Sequence, residues 1–402
     1  MAHPSLTVTP TKSSNTVGAS SKRLLSLDVL RGITIAFMIM VNNNGSPGAW
    51  KQMEHSAWNG LTATDVVFPT FLFVVGVSIV FSCQARLARG ATRAQLAWHT
   101  AQRAAILFLL GIVVNGFPSF DLEHLRIYGV LQRIAICYLI VGLFYLWDRR
   151  VWTKVLVLVV ALGGYWGLVR FVPVPGAGVP GRDIPFLDKD QNIVAWVDRH
   201  LMPYHLYEDA PLHDARDPEG LLSDIPALGT ALLGLLTGLW LRRDQTVKVK
   251  ALGLALGAAA CLASGYFWST WFPINKKMWT SSFVLATAGW SLTLFALVYW
   301  AIEQKGWFKT GWSKAFAWPW LVFGSNAIAV YMISELLPGA LGLIHIHSGG
   351  RHWITPLIWA RFHIFAHIPS PHWCAFAYSV SFATVCFIPV WVLYSKKIFI
   401  KI

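Results

Sequence analysis

The chain has 402 residues, of which 55% are hydrophobic and only 13% charged, whereas about a quarter of an average soluble domain is charged. This balance excludes an ordinary water-soluble domain and makes a lipid bilayer the expected surroundings. The formal charge of +14 would suit nucleic acid only if the basic residues shared one patch; they are scattered between apolar segments, so no nucleic-acid partner is expected.

Residues 1–22 form a polar tail rich in Ser and Thr, read as disordered and cytoplasmic. It has no apolar stretch of the kind a cleavable signal needs, so the first apolar helix is expected to direct insertion. Apolar runs then predict spans near 28–43, 64–83, 101–118, 127–147, 152–172, 224–241, 249–269, 280–302, 317–337 and 373–395. Each is close to the roughly 20 residues a helix needs to cross a bilayer, and helix is the expected form because lipid offers backbone groups no partners. The run 353–368 is shorter and carries Arg361, His363 and His367, so it is read as re-entrant or interfacial.

Basic residues decide the orientation, because short cytoplasmic loops collect Lys and Arg. Twenty, among them Lys12, Lys22, Arg23, Arg86, Arg89, Arg93, Arg103, Lys309 and Lys401, fall on one side of this ten-span arrangement, against six in the short loops opposite. The expected architecture is therefore an all-α polytopic transmembrane helical bundle of about ten spans, with both termini cytoplasmic. Residues 173–223 become one long external loop, a candidate lid over the membrane mouth. The five cysteines show no CxxC spacing and read as small core residues.

Polar residues crowd the ends of the first two spans. Asp28 and Arg31 lie three apart on one helical face and would either neutralise each other or bind something charged. His55 follows the run Asn42-Asn43-Asn44-Gly45; a neutral imidazole near pH 7 can take a proton from a nucleophile or itself attack an acyl group. A capping or interfacial role is its alternative. Further on, Gln132 and Arg133 sit inside a span, where they would line a ligand path or form a buried structural network, Asn275, Lys276 and Lys277 stand at a helix mouth, and Asn326 and Glu335 share a span nine residues apart. A regular helix would aim those last two at opposite faces unless it broke near Gly324. His345, His347, His352, His363, His367 and His372 cluster near the last external region without a metal-ligand motif, so no metal is expected.

The blocks RLLSLDVLRG (23–32), MVNNNG (40–45) and HSAWNGLTATDVVFPTFLFVVGVSI (55–79) resemble the heparan-α-glucosaminide N-acetyltransferase family and its bacterial amino-sugar relatives. Further blocks follow in the same order: RIYGVLQRIAICY (126–138), DPEGLLSDI (217–225), FPINKKMWTS (272–281), FGSNAIAVYMISE (323–335) and the closing KKIFIKI. The resemblance implies one acetyltransferase domain over 23–402, acetyl-CoA as cosubstrate, a glucosamine-type acceptor and a bacterial cytoplasmic (inner) membrane. It implies His55 as the catalytic residue with Asn42 as its partner near the thioester. Arg103, Gln132, Arg133 and Asn326 become candidates for the acetyl-CoA path. Asp28, Arg31, Trp58, Asn59, Asp65, Asn275, Lys276, Trp279 and Glu335 become candidates for the acceptor, Trp58 and Trp279 by stacking on a sugar face.

The expected partners are the amino sugar, acetyl-CoA and the lipid bilayer, with a homodimer left open. A transporter for amino sugars or their N-acetyl forms is the competing reading. It would call for broken helices, and the sequence shows no clearly paired, interrupted spans.

Overall fold

The structure is a computed structural model describing residues 24–45, 48–207, 216–307, 311–347 and 353–400. The tail 1–22, together with Arg23, Lys309, Arg351, His352 and Lys401, lies outside the described residues. Thirteen α-helices make up the described fold, beside one two-stranded ribbon of Ile346–His347 and Trp353–Ile354.

The first two apolar runs form α1 (Leu25–Asn42) and α2 (Ala63–Leu87), and the next three form α3 (Arg93–Gly116), α4 (Val130–Trp147) and α5 (Val151–Phe171). The loop that follows carries the short α6 (Ile193–Leu201). Beyond it come α7 (Asp224–Leu241), α8 (Val247–Trp268) and α9 (Ser281–Tyr299), the last continued by a π-helical turn, Trp300–Gln304. Nine of the described helices are long and apolar enough to cross a membrane, counting α9 with its extension. All but one of the ten expected spans are thus single helices.

The exception is the run expected at 317–337. It is two helices, α10 (Gly311–Ser325) and α11 (Ala327–Gly342), bent by 77° at Asn326. Counted together they supply the tenth span. Of the two alternatives for this run, a regular helix or one broken near Gly324, the structure has the break, so one interrupted span is present. The segment read as re-entrant or interfacial holds α12 (Pro356–Ala360) and a π-helical turn, Arg361–Phe365, too short to cross a hydrocarbon core. The chain ends with α13 (Pro371–Ser395).

Position in the bundle follows from surface chemistry. Helices α1, α2, α7 and α9 are largely buried, whereas α3, α5 and α8 leave most of their apolar surface outward, as helices facing lipid do. The central helix α2 packs on α1, α4, α7 and α9. Its contact with α7 is a backbone-to-backbone approach: a Cβ on Gly76 would stand 2.0 Å from the Ala231 carbonyl oxygen, and one on Gly234 2.0 Å from that of Phe73. Apolar burial drives little helix association inside lipid, so such small-residue contacts carry it.

Candidate active site

The site begins with helix capping. Thr62 opens α2 with a capping box, its side chain accepting from the Asp65 N–H while its own N–H donates to Asp65 Oδ2 at 3.1 Å. Two further donors converge on Oδ2, the Thr62 hydroxyl at 3.0 Å and the Ser56 N–H at 3.1 Å. Asp65 is fully buried, and its remaining oxygen, Oδ1, lies 2.8 Å from His55 Nδ1. A buried carboxylate accepts there, so Nδ1 carries the proton and Nε2 is left with a free lone pair. The His55 side chain keeps 46% of its surface exposed, enough for a substrate to reach it.

Lys276 approaches from the loop before α9. Its Nζ stands 3.1 Å from both imidazole nitrogens, so it lies over the ring rather than along either lone pair. Burial pulls this ammonium below the usual lysine range, against the opposing pull of Glu219 and Asp65. The two loops are stitched by a short antiparallel bridge: Gly60 N–H donates to the Ile274 carbonyl at 2.8 Å, and Asn275 Nδ2 to Asn59 Oδ1 at 3.0 Å. Asn275 is fully buried and also accepts from the Met278 N–H, so it holds the loop, while Asn59 stays exposed.

The described part of the loop 173–223 packs onto this end of the bundle. The Trp58 indole donates to the Leu187 carbonyl at 2.8 Å, joining that loop to the His55 loop. Arg126 clamps Asp217 at 2.6 and 2.8 Å and Glu219 at 2.5 Å. Asp198, on α6, accepts from the Leu221 N–H at 3.0 Å, but its Oδ2 has no hydrogen-bond partner among the described residues. Burial pushes this carboxyl up to about 7.

At the opposite end of α1 and α2 lies a cavity of about 450 Å³. Arg31, Arg86, Arg89 and Arg103 line it, with Asp28, Ser78 and Tyr138. Arg31 donates to Asp28 at 3.2 Å and to the Ser78 hydroxyl at 2.8 Å, and Arg103 to the Tyr138 hydroxyl at 3.1 Å. The cavity reaches inward to Met38 on α1 and Tyr331 on α11. One helical turn beyond those residues, Asn42 Nδ2 donates to Glu335 Oε1 at 3.0 Å.

Apart from Asn326, which sits at the break between α10 and α11, the expected site residues fall into four places. His55, Asp65, Asn59, Asn275 and Lys276 meet at one end, with Trp58 beside them. Arg103 lines the cavity at the other end, and so do Asp28 and Arg31, which the sequence had grouped with the acceptor; they lie about 14 and 11 residues, roughly 21 and 16 Å, down α1 from Asn42. Asn42 pairs with Glu335 rather than with His55. Of its two neighbours, Asn43 turns back to the Ile39 carbonyl and Asn44 donates to that of Met53.

Three residues are buried and do not line that cavity. Arg133 is fully buried, its guanidinium donating to Asp224 at 2.9 Å, to Ser223, and to the Pro218 and Gly220 carbonyls. Gln132 packs against Gly111 with its Nε2 lacking a partner among the described residues. Trp279 is fully buried between Phe68 and Phe283 and donates to Thr230 Oγ1 at 3.2 Å, so it has no free face for a sugar.

Comparison with known proteins agrees with the sequence blocks. Residues 23–174 match the family model described as heparan-alpha-glucosaminide N-acetyltransferase, catalytic. A heparan-alpha-glucosaminide N-acetyltransferase of Mus musculus is 28% identical over 440 aligned residues, covering 96% of this chain and 61% of that protein. One of Homo sapiens is 29% identical over 367 residues, covering 80% of this chain and 54% of that protein. The chain thus spans little more than half the length of these relatives, and the family resemblance read from the sequence is borne out.

Proposed function

We propose that this protein is a membrane N-acetyltransferase that moves acetyl from acetyl-CoA to the amine of a glucosamine-type sugar. The observation that carries the reading is the His55–Asp65 pair, whose geometry leaves Nε2 free as a base at the mouth of the bundle. As the amine attacks the thioester, a C–N bond forms, the C–S bond breaks, and the amine proton passes to Nε2 and on to the CoA sulfur. Asp65 stabilises the imidazolium formed on the way. Asn42 has a second amide N–H beyond the one given to Glu335, a suitable donor to the oxygen on which charge develops. A route through an acetylated His55 Nε2 uses the same groups.

The CoA phosphates call for several cations, and the cavity bearing Arg31, Arg86, Arg89 and Arg103 offers them. With that end in the cytoplasm, where basic loops belong, the donor would enter from inside and the acceptor from the other face of a bacterial cytoplasmic membrane. The loop 173–223 would then be a lid over the acceptor side.

The break at Asn326 favours a second reading, transport of an amino sugar, since interrupted helices are a transporter device. One assay separates the two. Purified protein in lipid vesicles, given labelled acetyl-CoA and glucosamine, should release CoA and acetylated sugar together. His55→Ala should lower that rate by on the order of a thousandfold, roughly 4 kcal/mol. Full activity in folded His55→Ala refutes the catalytic assignment; sugar flux without CoA release supports transport.

A further inference from the structure

The chain does not simply stop after α13. At its end Lys397 adopts φ +58°, a conformation that favours glycine, and the Ile398 N–H closes a 2.8 Å bond back to the Leu393 carbonyl. This six-to-one bond is that of a Schellman turn. It reverses the chain and lays Ile398–Ile400 against the break between α10 and α11, where Asn326 receives it. The Asn326 side chain donates from Nδ2 to the Ile398 carbonyl at 3.1 Å and accepts at Oδ1 from the Ile400 N–H at 2.8 Å. A carboxamide can do both at once, because its donor and acceptor sit on neighbouring atoms. Asn326 is 1% exposed, so losing either bond would leave a buried polar atom unpaired.

What the clamp positions is a wall of the arginine-lined cavity. Ile400 lines that cavity together with Ser325 and Ala327, the two residues flanking Asn326, and Arg31, Arg86 and Arg103 line it too. We infer that Asn326 is a positioning residue for acyl-donor binding, acting through the C-terminal strap Lys396–Ile400, which closes one side of the donor cavity. The inference rests on the assignment of that cavity to acetyl-CoA. It gives Asn326 a role without contact with the donor, and gives a purpose to an end-turn that a lysine adopts at some cost.

Two measurements test it, one of which needs no donor. In a background with the native cysteines replaced, Ser82→Cys places a thiol on the cavity lining. Its reaction with a small soluble thiol reagent should speed up by about tenfold when the chain is cut after Lys397, and similarly with Asn326→Ala. In the otherwise native protein the same two changes should raise the KM for acetyl-CoA by about tenfold, with kcat within about twofold and the KM for the amino sugar unmoved. Combining them should add nothing to either alone, because both remove one wall.

Asn326→Asp keeps the acceptor for Ile400 N–H but sets a carboxylate against the Ile398 carbonyl, and should behave like Asn326→Ala. If the truncated chain does not fold, Asn326→Ala and Ile400→Gly carry both measurements. Unchanged thiol reactivity overturns the strap as a wall. Additive effects of cut and substitution overturn Asn326 as acting through it. Faster labelling with no change in acetyl-CoA binding would remove the cavity from donor binding, and the inference with it.

Discussion

The substitution Asp65→Asn isolates the feature on which the proposed chemistry depends. Oδ2 of Asp65 collects the Ser56 N–H, the Thr62 N–H and the Thr62 hydroxyl, all within 3.1 Å. An asparagine must keep its single oxygen there, because its NH2 would otherwise face two backbone donors. The NH2 then occupies the place of Oδ1 and donates to His55 Nδ1. That bond requires Nδ1 to be bare, which moves the ring proton to Nε2 and removes the base. Shape and packing are unchanged while the tautomer is wrong, a fault worth on the order of ten-thousandfold in rate, roughly 5.5 kcal/mol. Single-turnover transfer from labelled acetyl-CoA would measure it, with gel filtration and a thermal melt confirming the fold. Acetyl-CoA binding should be unaffected, since the arginines lie at the other end of α2. A folded Asp65→Asn protein transferring acetyl within a few-fold of the parent would refute the assignment of His55 as a base oriented by Asp65.

Other outcomes follow from the remaining charges. Arg103→Ala should raise the KM for acetyl-CoA by about tenfold to a hundredfold, one charge-assisted contact being worth roughly 1.5–3 kcal/mol; an unchanged KM in titrations would exclude it from donor binding. Arg133→Met should instead fail at folding, because Asp224 would be left buried and unpaired at a cost of about 3–5 kcal/mol, and a normal yield of stable protein would contradict that. Because the Asp198 carboxyl lies at about 7 in the folded chain, the folded state holds a proton that the unfolded state has released, so stability should fall as pH rises from about 4 to 7. Asp198→Asn should then match the parent in thermal melts near pH 4 and exceed it above pH 7, by up to roughly 4 kcal/mol; equal melting at both ends would sink this reading. For orientation, Arg93→Cys should be shielded from an impermeant thiol reagent in intact cells and Asp190→Cys should react, and the reverse pattern would invert the proposed topology.

Nine of the spans were legible because lipid imposes a simple rule, an apolar run near 20 residues, and α7 coincides with its expected bounds of 224–241. The break at Asn326 was legible only as an alternative, a break near Gly324, because the residues around it remain apolar enough to read as one helix. Arg133 was misplaced for a related reason. A lone cation inside a span reads as either a ligand contact or part of a buried network, and sequence cannot choose when its carboxylate partner, Asp224, is 91 residues away and on another helix. Asp28 and Arg31 were grouped with His55 because they stand in the same polar blocks around the first loop, but most of the 18-residue α1 lies between them and that loop and carries them to the far end of the bundle. The role of Asp65 left one local trace, the Thr62-to-Asp65 spacing of a capping box. That spacing ties the carboxylate to the helix start but is silent about the imidazole it holds.

In the proposed reaction this division between the two ends has a physical cause. A nucleotide with several phosphate charges cannot enter hydrocarbon, so its cations belong at one membrane face. The acceptor sugar is equally polar and must be met at a face, here the opposite one. Only the acyl end of the donor is small and neutral enough to pass between them. The cavity would supply such a passage: its arginines stand at one mouth, and its inner lining turns to Ile35, Met38, Ile134 and Ile328. It ends at Met38 and Tyr331, one turn short of the Asn42–Glu335 pair. That pair would be the first polar group a thioester meets on leaving the apolar passage. The Asn42 amide would polarise the carbonyl through a neutral hydrogen bond, with Glu335 holding that amide in place.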